Sequence, residues 1–68
     1  MAQWEKVYAS RNPAEASIIQ GMLEENHIPV QVMNKLDSSY LNFGDIEIFV
    51  PEHLLITARQ LIGQQLSN

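Results

Sequence analysis

The stretch from Asn12 to Val32, NPAEASIIQGMLEENHIPVQV, leaves the chain few choices of fold. It holds a helix start, a helix body, a helix end and a strand, in that order. Asn12 is a favoured N-cap, because its side-chain oxygen accepts from a backbone N–H that the helix cannot satisfy. Pro13 follows at the first helical position, where its missing N–H costs nothing. Glu15 stands third, within reach of the cap and facing the positive end of the helix. Ala16, Ile19, Met22, Leu23 and Asn26 then share one face at the 3.6-residue period, with Ile18 at its flank. Gln20, Glu24 and Glu25 point to water. Gly21 weakens the helix by about 1 kcal/mol relative to Ala; it is either simply tolerated or admits a close approach to a sheet. Asn26 and His27 end the helix, Asn being tolerant of the left-handed cap conformation. Ile28, Val30 and Val32 alternate with Pro29, Gln31 and Met33, which is the pattern of a strand with one buried face.

The chain has 68 residues, enough for one domain spanning 1–68. A domain this short buries roughly 60% of its unfolded surface and has little stability to spare. There is no cysteine, hence no disulfide framework and no thiolate metal site. No apolar run approaches the ~20 residues of a membrane span and no signal peptide opens the chain, so a cytoplasmic protein is expected. Eight acids outweigh four bases, and the bases Lys6, Arg11, Lys35 and Arg59 are scattered along the sequence. Net charge of −4 disfavours nucleic acid as a partner.

Around the central stretch the other elements fall into place. Trp4–Ser10 reads as a first strand, with Trp4, Lys6 and Tyr8 on one face and Glu5, Val7 and Ala9 on the other. Residues 35–44, KLDSSYLNFG, carry the Asp, Ser, Asn and Gly of a loop that is long for a hairpin and is expected to be mobile. Asp45–Val50 is the clearest strand: Ile46, Ile48 and Val50 face one way, Asp45, Glu47 and Phe49 the other. Pro51 ends pairing. Glu52–Leu66 reads as a second helix, with Leu54, Leu55, Ala58, Leu61 and Ile62 as its stripe. Helix formers around Gly63 favour a helix that runs through it, over a short fourth strand in 64–68. The order β-α-β-β-α, with a right-handed crossover, gives a three-stranded antiparallel sheet of order 1-3-2 with two helices on one face. This is an α+β, two-layer, ferredoxin-like split βαβ unit without its last strand. The expected core is Val7, Ala9, Ala16, Ile19, Leu23, Ile28, Val30, Val32, Ile46, Ile48, Val50, Leu54, Ala58, Leu61 and Ile62.

Nearly the whole chain, Trp4 to Ile62, resembles a small bacterial domain family of unknown function, called putative prokaryotic signal-transducing protein. The residues that carry the resemblance are KVYAS at Lys6–Ser10, NPAEA at Asn12–Ala16 and QGMLEENHIPV at Gln20–Val30. Asn34, Ser38-Ser39, VPE at Val50–Glu52, Ala58 and Leu61 continue it. The family typically has Gly where His27 stands. The resemblance implies a ferredoxin-like fold, related to that of the nitrogen-regulatory signal-transduction proteins, and a signalling role by analogy.

No motif carries catalysis. His27 and His53 lack a ligand set, Ser38 and Ser39 lack a visible base, and Gly44 stands alone, so no metal, cofactor or enzymatic activity is expected. The side of the sheet without helices is the candidate site. Alternation places Trp4, Lys6, Tyr8, Gln31, Met33, Glu47 and Phe49 there, with Tyr40 and Phe43 of the loop as further contact residues. RNA-recognition domains stack bases on aromatics of such a face, but Glu47 and the scarcity of bases weigh against it here. An exposed apolar face more often serves a protein or ligand. Two functions follow: a non-enzymatic regulatory module acting through this face and the 35–44 loop, or a small-molecule sensor holding its ligand between loop and sheet. The bare edge of the first strand further suggests a homodimer paired along it.

Overall fold

The computed structural model describes residues 3–35 and 45–67. Its elements are β1 (Trp4–Ser10), α1 (Pro13–Glu25), β2 (Gln31–Asn34), β3 (Ile46–Pro51), a 3-10 turn over Glu52–Leu54, and α2 (Leu55–Leu66). The sheet is antiparallel with order β1-β3-β2. The expected two-layer α+β architecture is therefore the one observed. The loop expected to be mobile, with Tyr40 and Phe43, lies outside the described residues save for Lys35, whose N–H donates to the Asp45 carbonyl at 3.1 Å.

The start of α1 follows from its sequence. Asn12 is extended (φ −98°, ψ 110°), and its Oδ1 accepts from Ala14 N–H at 2.9 Å and Glu15 N–H at 3.5 Å. Its end is a Schellman motif. Ile28 N–H donates to the Leu23 carbonyl and His27 N–H to the Glu24 carbonyl, both at 3.0 Å, which satisfies carbonyls the helix leaves open. Leu23 and Ile28 are both buried, supplying the hydrophobic contact that accompanies such a cap. The left-handed residue is His27 (φ 63°), not Asn26 (φ −95°). Asn26 instead turns its side-chain amide back onto the Met22 carbonyl at 2.8 Å.

The core is Ala16, Ile19, Leu23, Ile28, Ile46, Ile48, Val50, Ala58 and Ile62. Fully burying an aliphatic side chain such as Ile19, Leu23, Ile48 or Val50 contributes roughly 1.5–3 kcal/mol each. Val7, Val30, Leu54 and Leu61 pack against this core without being fully buried. Two more expected core residues, Val32 and Ala9, neither belong to it nor pack against it. Val32 pairs with Ile48 but is 41% exposed, because the helices pack over β1 and β3 and leave the edge strand β2 bare. Ala9 is exposed because β1 carries a bulge between Lys6 and Tyr8. One extra residue there reverses the facing of everything after it.

Pairing of β2 begins at Gln31, later than alternation from Ile28 suggested. The second helix opens with the 3-10 turn and then runs through Gly63 to Leu66, so no fourth strand forms from residues 64–66. A Cβ at Gly21 would meet nothing within 4 Å, so this glycine does not serve a close approach to the sheet.

Candidate interaction surface

The bulge redraws the open face of the sheet. Before it, Trp4 stands opposite Pro51 and Lys6 opposite Phe49; after it, Ala9 stands opposite Glu47. From β2, Gln31 lies opposite Phe49 and Met33 opposite Glu47. The helix-free side therefore carries Trp4, Lys6, Ala9, Gln31, Met33, Glu47 and Phe49. Tyr8 does not belong to it. The bulge turns Tyr8 opposite Ile48, on the helix side, where it packs against the core. Its hydroxyl donates to Glu15 Oε1 at 2.7 Å, tying β1 to the first turn of α1. That bond, followed by burial and the Glu15 charge, raises the Tyr8 pKa. The same bond, then one from Ser10, holds the Glu15 carboxyl below its ordinary value.

Glu47 sits at the middle of the open face with its side chain only 13% exposed. Lys35 Nζ reaches Oε1 at 3.2 Å from the end of β2, and Lys6 Nζ reaches Oε2 at 3.4 Å from β1. The carboxylate thus spans all three strands. Its pKa is lowered, first by the Lys35 hydrogen bond; burial opposes this, and the Lys6 hydrogen bond and the charges of both lysines then add to the lowering. At the neighbouring end, Arg11 Nε lies 3.9 Å from Asp45 Oδ1. Bases that are far apart in sequence are here gathered on one side, but each faces an acid.

Beside this clasp lies the apolar part of the face. Met33 is 50% exposed, Trp4 is 37% exposed and Phe49 is half-buried between them and Lys6. Sequence reasoning missed Lys35, although alternation carried one step past Met33 would have placed it with Glu47. Tyr40 and Phe43 lie outside the described residues. Among the described residues, no group of three His, Cys, Asp or Glu could hold a metal ion, and no helix is long and apolar enough to cross a membrane.

A family profile described as putative prokaryotic signal transducing protein matches residues 4–64. The chain belongs to this family. The match spans every described strand and helix except the last residues of α2. Membership agrees with the resemblance in the KVYAS, NPAEA and QGMLEENHIPV segments, and with the ferredoxin-like arrangement of the elements. No curated protein and no solved structure matches the chain.

Proposed function

We propose that this family member is a non-enzymatic regulatory module that engages a partner protein through the open face of its sheet and the 35–44 loop. The observation that supports this reading is the juxtaposition of Trp4, Phe49 and Met33 with the Lys6–Glu47–Lys35 clasp on the side that no helix covers. Aromatic residues and Met are enriched where proteins meet, and a few buried aromatics carry most of the affinity. Charge neutralised in place lowers the cost of desolvating the face when a partner covers it. The family description gives a signalling context for such a contact.

The reading is tested with the full chain immobilised as bait in an extract of its native host. The wild type and Ile56→Glu, a change at a 72% exposed position of α2, should retain the same partner. Met33→Glu and Trp4→Ser should lose it while keeping the wild-type melting curve. Retention by both sheet-face variants would refute the proposal.

A further inference from the structure

A second surface lies on the opposite side of the molecule. A furrow runs between α1 and α2, from Asn12 at the start of α1 to Asn26 at its end. Its three shallow stretches hold about 310, 420 and 330 Å³ and share Ile18, Met22 and Gln65 in their walls. Three features along it are locally unfavourable for an isolated domain. Gly21 lies mid-helix, where glycine weakens a helix relative to alanine, yet a Cβ there would meet nothing within 4 Å. Ile18 and Leu66 flank the furrow at 56% and 50% exposure. The last turn of α1 carries Glu24 and Glu25 and no base, against the negative end of the helix dipole. Local rules broken together at one place are the mark of a functional surface.

We propose that the furrow receives an amphipathic helix of a partner protein, one that carries Lys or Arg along the flank lying over the end of α1. Its apolar side chains seat on Ile18, Met22 and Leu66. The missing side chain at Gly21 lets the incoming helix axis come close, since interaxial distance follows the side chains at the contact. Its basic residues meet Glu25, which lines the furrow, and the neighbouring Glu24. Helix-in-groove recognition is built from such anchors. A second copy of this chain is a poor occupant: α1 bears three glutamates and no base, and Arg59 of α2 does not line the furrow, so a copy brings no basic flank to set against Glu24 and Glu25.

The test uses the full chain labelled with 15N and a synthetic Leu/Lys amphipathic helical peptide, with a Leu/Glu peptide of the same pattern as control. The Leu/Lys peptide should shift amides along Ile18–Asn26 and Leu61–Leu66, and the Leu/Glu peptide should shift none. Gly21→Leu adds a Cβ that meets nothing within 4 Å and replaces a poor helix former with a good one, and Glu25→Lys complements the dipole. Both variants should melt higher than wild type and yet bind the Leu/Lys peptide about tenfold more weakly. Loss of binding therefore cannot be ascribed to unfolding. Shifts at Met33 and Glu47 instead, equal binding of the two peptides, unchanged affinity in both variants, or furrow shifts that follow protein concentration rather than peptide would each overturn the proposal. Shifts at Met33 and Glu47 would favour the sheet-face reading; the other results leave it untouched, because its variants lie on the other layer.

Discussion

His27 is the residue whose replacement most directly weighs the local against the global in this fold. It alone among the described non-glycine residues has positive φ, at 63°, and it sits at the turn that ends α1. A residue with a Cβ held in the left-handed region costs roughly 1–2 kcal/mol. Glycine removes that strain but brings an unfolded-state entropy penalty of about 0.4–1 kcal/mol. The imidazole is exposed, so no packing is lost with it. The net gain for His27→Gly is then about 0.5–1 kcal/mol, or roughly 2–8 °C in Tm for a domain of this size. His27→Val should move the other way by about 1 kcal/mol, because a β-branched residue is a poorer occupant of this region. Thermal melts of the three proteins at one pH, followed by far-UV circular dichroism, give the order Gly above His above Val. A valine variant as stable as the glycine variant would show that residue 27 is not left-handed and that the Schellman cap is misassigned.

The other predictions follow from packing, titration and the sheet edge. Ile48→Ala should cost ~2–5 kcal/mol and largely unfold a domain with about 5 kcal/mol of stability, whereas Val32→Ala should cost under about 1 kcal/mol; equal costs in chemical denaturation would mean that β2 is covered after all. The Tyr8–Glu15 bond should shape stability at both ends of the pH range. Glu15 is lowered, so its share is present above the ordinary value of 4.5 and is lost as pH falls through the lowered one. Tyr8 is raised, so its share is present below 10.0 and is lost as pH rises through the raised value. Tyr8→Phe should therefore be least stable relative to wild type near neutrality, with the gap narrowing toward both extremes; a gap independent of pH would refute this. Sedimentation at several concentrations addresses the β1–β1 homodimer. The bulge splits that bare edge into two short segments, a device that discourages strand addition, so a particle near 7.7 kDa is expected and a concentration-dependent dimer would contradict it.

The elements that were legible in the sequence are those fixed by local chemistry. Asn12-Pro13 with Glu15 marks a helix start that no tertiary contact need supply. The alternation in Ile46–Val50 fixes the central strand, and the crossover rule then fixes its place between the other two. What escaped is what depends on one residue of register. WEKVYAS reads as an unbroken alternation, and nothing in it announces a bulge at Val7, since no glycine stands there. The bulge moved Tyr8 from the candidate face to the helix side and Ala9 out of the core. Val32 was misjudged for a different reason: alternation reports which way a side chain points, not whether a helix lies over it. Lys35 was hidden by its place at the start of a loop, although its parity matches Met33. The furrow was invisible because Ile18 and Gly21 each look ordinary until α2 is set beside them.

The proposed contact of a partner with the open face of the sheet can be probed residue by residue. Its most direct test is photocrosslinking in cells of the native host, with a benzophenone amino acid placed singly at Met33, at Phe49 and, as a control on the opposite layer, at Ile56. Discrete higher-mass adducts from positions 33 and 49, and none from 56, are the predicted result. Adducts from 56 with none from the sheet face would contradict the claim.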